Sequence, residues 1–145
     1  MPFVLLMLSF WNPLAENDAR IMKHNGSEVR TTINIDEKFL GIYQGAKEGF
    51  LELNYDGTGI YRYDYAGLTS SCPGSLINIE WGFLLNQEGE IVRLERSYGY
   101  SYPIIYNASG ENAFQDCSKT TMVDFILVYK DGTITISSSD DWVKK

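Results

Sequence analysis

One histidine, two cysteines and ten tyrosines are the residues with which this 145-residue chain could do chemistry. A hydrolytic triad needs an imidazole base oriented by a third group, and His24 lies in a polar stretch with no strand pattern to hold it. One histidine and two cysteines are also too few for a His-rich or Cys-rich metal cluster within one chain. The adjacent acids Asp36-Glu37 and Asp140-Asp141 point apart in extended chain, so they read as solubilising charge and not as an acid and base pair. Nucleophile elbow, phosphate loop, dinucleotide glycine pattern, His-Glu-x-x-His pair and regularly spaced calcium loop are all missing from the sequence. No enzyme activity, cofactor or metal is expected.

The tyrosines point instead to recognition. Ser97-Tyr98-Gly99-Tyr100-Ser101-Tyr102-Pro103 sets rings at alternate positions between small neighbours. In a strand, Tyr98, Tyr100 and Tyr102 line one face as accessible amphipathic groups suited to sugars, lipids or protein surfaces. The alternative is that they close the end of the fold by packing on Trp81 or on the row Tyr61, Tyr63 and Tyr65. The 19 acidic residues outnumber the 12 basic ones, a net charge of -7, which repels phosphate backbones and excludes nucleic acid as the expected partner.

Strands must hold these side chains. From Phe39 onward apolar residues recur with period two between Gly, Asp and Asn, which predicts an all-β body. Antiparallel strands are expected over residues 39–44, 50–55, 60–65, 76–85, 90–96, 101–106, 121–129 and 133–138, about eight in number. Leu51 and Leu53, Tyr61 and Tyr63, the row Ile77, Ile79, Trp81 and Phe83, and the pair Val92 and Leu94 each share a face. Asp56-Gly57-Thr58 and Asp131-Gly132-Thr133 supply hairpin turns. Gly82 reads as a bulge or bend, and Pro103 as an edge position or an irregularity. Short links favour an up-and-down meander over residues 37–145 that closes into a barrel, with a two-sheet β-sandwich as the rival.

Residues 1–15 carry no charged side chain, and Phe3 to Trp11, apolar apart from Ser9, form a run too short to span a bilayer. With Asn12-Pro13 and Ala15 behind it, the segment reads as an export signal or the remnant of one, so the protein is expected to be secreted or periplasmic with no membrane span. Residues 16–36 then read as a flexible polar lead-in. In an exported protein Cys72 and Cys117, both in long loops, are expected to form a disulfide that stabilises by roughly 4 kcal/mol in the chain-entropy model. Asn25-Gly26-Ser27 and Asn107-Ala108-Ser109 match the glycosylation acceptor pattern and mark loops.

Gly41-Ile42-Tyr43-Gln44-Gly45, Leu51-Glu52-Leu53 and Asp56-Gly57-Thr58-Gly59-Ile60-Tyr61 resemble the opening hairpins of bacterial lipocalin-like small barrels, over residues 39–65. Tyr43 stands where lipocalins place Trp. The resemblance implies a binding module with an apolar or mixed cavity at the barrel mouth. The expected function is therefore an exported lipocalin-like module for a small amphipathic or hydrophobic ligand, with Tyr61, Tyr63 and Trp81 as cavity candidates. A second reading is an acidic inhibitor or immunity-type protein that meets a basic protein, an enzyme, through Tyr98, Tyr100 and Tyr102.

Overall fold

Alternation along the strand Ile77–Leu84 decides which face meets the interior: Ile77, Ile79, Trp81 and Phe83 are buried while Asn78 and Glu80 are exposed. The structure, a computed structural model, describes residues 19–45, 49–63, 76–110, 113–114, 119–136 and 139–145. Its strands are β1 (Ala19–His24), β2 (Ser27–Thr32), β3 (Gly41–Gln44), β4 (Phe50–Leu53), β5 (Thr58–Arg62), β6 (Ile77–Leu84), β7 (Leu94–Arg96), β8 (Gly99–Ala108), β9 (Thr121–Tyr129), β10 (Ile134–Ile136) and β11 (Ser139–Lys144). Eight of them, β3 to β6 and β8 to β11, pair antiparallel in ring order, and β11 returns to β3 through Val143↔Gln44 and Lys144↔Tyr43. The chain is thus a closed up-and-down barrel of the lipocalin-like kind, with extra strands; closure removes the two-sheet sandwich from consideration.

Both Asp-Gly-Thr segments form the expected turns. Asp56 Oδ1 accepts from the Thr58 N–H at 3.0 Å and from its hydroxyl at 2.6 Å, and Asp131 Oδ1 accepts from the Thr133 N–H at 2.9 Å. Gly57 and Gly132 take φ of 87° and 92°, which a Cβ disfavours. The interior is filled by rings: Tyr43, Trp81, Phe83, Tyr106 and Trp142 are each at most 1% exposed. Burying such a side chain stabilises by roughly 1.5–3 kcal/mol.

Three segments depart from the sequence expectation. Residues 90–96 yield only the short β7, beside the Gly99–Ser101 start of β8. The rest of that edge of β8, from Ile104 to Ala108, is paired with β6, so β7 adds no stave to the barrel. The eighth stave is β11, in a tail where the sequence predicts no strand. Its inward Trp142 follows a run of Ser and Asp that conceals the alternation. Residues 16–36, expected as a flexible lead-in, carry the β1–β2 hairpin from residue 19 on. Asn25 at φ 50° and Gly26 at φ 83° make its turn, the Asn-Gly pair that suits the twist of a two-residue hairpin.

This hairpin lies against the outside of the barrel. A Cβ on Gly82 would collide with Thr31 and stand 2.8 Å from Met22 Sδ, so glycine allows the close approach. The ladder through Trp81, Gly82 and Phe83 is unbroken, so of the expected bulge or bend the bulge is corrected. Asn107, expected in a loop, sits on β8; its amide donates to the Lys23 carbonyl at 2.8 Å and accepts from the Lys23 N–H at 2.9 Å. Arg20 adds an ion pair to Glu80 at 3.2 Å. Pro103 stands where β8 passes from Leu94, opposite Ser101, to Phe83, opposite Ile104, a gap in the ladder that tolerates a missing N–H. No helix among the described residues is long and apolar enough to cross a membrane. The expected export signal in residues 1–15, the Cys72–Cys117 disulfide and Tyr65 lie outside the described residues.

Candidate functional site

Asp36 begins the site. Its Oδ1 accepts from the Lys38 N–H at 2.9 Å, capping a single 3-10 turn over Glu37–Phe39 that leads into β3. The turn carries Phe39 across the barrel end where β6 finishes and β8 begins. Phe39 is 5% exposed, its ring centroid 5.2 Å from Phe83 and 5.1 Å from Tyr102; Phe83 and Tyr102 are 6.3 Å apart. Each such pair adds roughly 0.5–1.5 kcal/mol beyond area burial. Tyr43, inside the barrel, donates its hydroxyl to the Phe39 carbonyl at 2.7 Å and fixes the turn from below.

The opposite wall is the connection from β6 to β7. Asn86 organises its turn, its Oδ1 accepting from the Glu88 and Glu90 N–H groups at 3.0 and 2.9 Å. Leu85 bridges to Ile91, and the Val92 N–H donates to the Leu84 carbonyl at 2.9 Å. These bonds fold Glu90, Ile91 and Arg93 back toward Phe39. Between the walls lies a cleft of about 450 Å³, floored by Ile35, Phe39, Phe83, Ile91 and Tyr102 and rimmed by Asp36, Lys38, Glu90 and Arg93. Lys38 Nζ stands 5.3 Å from the Phe39 centroid and Arg93 Cζ 4.2 Å from the Tyr100 centroid, so both cations rest on rings.

The tyrosines singled out by the sequence separate. Tyr102 lines the cleft, and Tyr100 supports Arg93 at its rim. Tyr98, 36% exposed, packs on Tyr129 with centroids 5.2 Å apart. Trp81 is fully buried, its Nε1 donating to the Thr58 carbonyl at 2.9 Å and to the Asn54 carbonyl at 3.2 Å, and its ring is 6.0 Å from Phe83. Tyr61 lies at the other end of the barrel with Tyr63 and with Phe114 and Trp142. Phe39, Lys38, Glu90, Ile91 and Arg93 were not legible as site residues. The Asp36-Glu37-Lys38 cap was the available signal for the first wall; nothing local to residues 90–93 marks the second.

The interior also holds Asp124, 2% exposed in a strand that otherwise reads as apolar. Its Oδ1 accepts from the Phe125 N–H at 2.8 Å and its Oδ2 from the Tyr106 hydroxyl at 3.4 Å. Burial first, and then the Asp124 charge, push the Tyr106 phenol well above its usual range. Burial alone pushes Tyr43 up. Both phenols therefore remain protonated donors at neutral pH. No group of three or more His, Cys, Asp or Glu among the described residues is arranged to hold a metal. No family model, curated protein or solved structure matches this chain.

Proposed function

We propose that this chain is an exported lipocalin-like binding module, and that it takes a small amphipathic molecule in the cleft at the barrel end. The observation that carries the reading is the cleft itself. Its volume of about 450 Å³ lies in the range of small-molecule sites, and it joins an aromatic floor to a charged rim. The apolar run Phe3 to Trp11 supports export. The rival reading, an acidic inhibitor of a basic enzyme, rests on the net charge of -7. It needs Tyr98, Tyr100 and Tyr102 as one patch. Those rings instead turn to Tyr129, to Arg93 and to Phe39, three different partners.

Native mass spectrometry of the purified protein, with and without a cleft-filling Ile91→Trp substitution, tests the reading. The expected result is an amphiphile adduct on the natural chain that the variant loses while its melting temperature holds. An adduct retained by the variant, or a stoichiometric protein partner lost at high salt in place of any small molecule, overturns it.

A further inference from the structure

The cleft proposed above as the ligand site carries two acids and two bases, Asp36 and Lys38 on one wall and Glu90 and Arg93 on the other. Opposite charges around one cleft commonly neutralise each other. The four do not pair here, and the ion pair of Arg20 with Glu80 lies on the outer face of the barrel. Asp36 is committed to the cap of the 3-10 turn, and Lys38 leans on Phe39. Glu90 is not: its backbone N–H is bonded to Asn86, but its carboxylate has neither hydrogen bond nor ion pair among the described residues. Arg93 lies over the Tyr100 ring, which restricts the guanidinium while its N–H groups find no acceptor among the described residues. One wall of the cleft thus presents a solvent-exposed anion and a solvent-exposed cation that a ring orients, both open to a ligand.

We infer that the ligand is a zwitterionic amphiphile, its anionic group on Arg93, its cationic group at Glu90 and its apolar body on Phe39, Phe83 and Tyr102. The inference rests on the reading of the cleft as the ligand site and adds the charge class. An anionic head attracted by Arg93 and Lys38 also meets Glu90 and Asp36, and the chain's net charge of -7 repels it from a distance. A cationic head meets the converse. An uncharged head desolvates Arg93 and Glu90 without partnering either. Only a dipolar head satisfies both signs on the same wall, and Tyr100 acts as a positioning residue through Arg93.

The test uses four decyl-chain probes with phosphocholine, sulfonate, trimethylammonium and maltoside heads. They are titrated calorimetrically below their micelle concentrations into the natural chain and into the Arg93→Gln, Glu90→Gln and Ile91→Trp variants, with circular dichroism confirming the fold of each. The phosphocholine probe is expected to bind about tenfold tighter than the other three. Arg93→Gln is expected to erase its advantage over trimethylammonium, and Glu90→Gln its advantage over sulfonate. Equal affinities for all four heads, or a preference that survives both Gln variants, overturn the zwitterion while leaving the cleft in place if Ile91→Trp still blocks uptake. Absence of binding by every probe, or binding that Ile91→Trp leaves unchanged, overturns the cleft and the zwitterion together.

Discussion

At the end of the barrel where β5 finishes, Tyr61 meets Tyr63, Tyr106, Phe114 and Trp142 with all four centroids within 5.8 Å. At the other end Phe39, Phe83 and Tyr102 form a smaller triangle, and one side of it faces a cleft rimmed by four charged side chains. The residue types on the two floors are alike. Among the described residues the difference is in what borders them: the rings around Tyr61 meet chiefly one another, whereas Phe39, Phe83 and Tyr102 border a cleft with charged groups at its rim. Aromatic content alone therefore does not distinguish the two ends, and the cations resting on Phe39 and Tyr100 mark the one proposed as the site.

Four substitutions or conditions probe the contrast. Trp142→Ala at the Tyr61 end is expected to cost roughly 3–5 kcal/mol in urea unfolding, because a buried indole leaves a cavity; a cost under about 1 kcal/mol removes this end from the core. Phe39→Ala at the cleft end is expected to cost less, about 2–3 kcal/mol, since one side of its ring already borders the cleft. Equal costs at the two ends would erase the distinction. Tyr100→Ala is expected to change stability by about 1 kcal/mol or less while weakening phosphocholine-probe binding roughly two- to fivefold, the worth of an exposed cation–π contact. A large fall in melting temperature with unchanged binding would assign that ring to packing.

Acid below the ordinary carboxylate range is expected to have the smallest effect, and to act at the cleft end. Asp56 and Asp131 both sit in turns there. The side-chain and backbone bonds from Thr58 hold the Asp56 carboxyl below its ordinary value, and the backbone and side-chain bonds from Thr133 do the same for Asp131. A carboxyl lowered in the folded state stabilises above its unfolded value, and that contribution fades as pH falls through the lowered one. Amide protection factors at Thr58 and Thr133 should therefore fall in acid before those at Tyr61 or Tyr106. Simultaneous loss of protection at both ends contradicts this ordering.

The strands of the closed barrel were legible where alternation was local. Ile77 to Phe83 announce their inward face, and Asp-Gly-Thr announces its turn twice. The misassigned segments share a non-local cause. Residues 90–96 alternate well enough for a strand, yet β8 already has β6 along most of that edge. Trp142 belongs to a stave only because β3 and β10 lack other partners on those sides. The β1–β2 hairpin is a partial exception, since Asn25-Gly26 was a readable turn signal in a segment otherwise polar enough to pass for a tail. The cleft was the least legible part, because residues 35–39, Phe83, residues 90–93 and Tyr102 meet only after the barrel closes, and a cation resting on a distant ring leaves no pattern in sequence. Of the six tyrosine and tryptophan candidates, Tyr102 lines the cleft and Tyr100 supports its rim, carried by the alternation that identified them.

Backbone amide chemical shifts followed during a decyl phosphocholine titration test the functional asymmetry of the barrel most directly. Shifts confined to residues 35–39, Phe83, residues 90–93 and residues 100–102, with the amides of Tyr61, Phe114 and Trp142 unmoved, are the predicted result. Shifts centred on Tyr61, Phe114 and Trp142, or scattered over the outer face beside β1 and β2, contradict it.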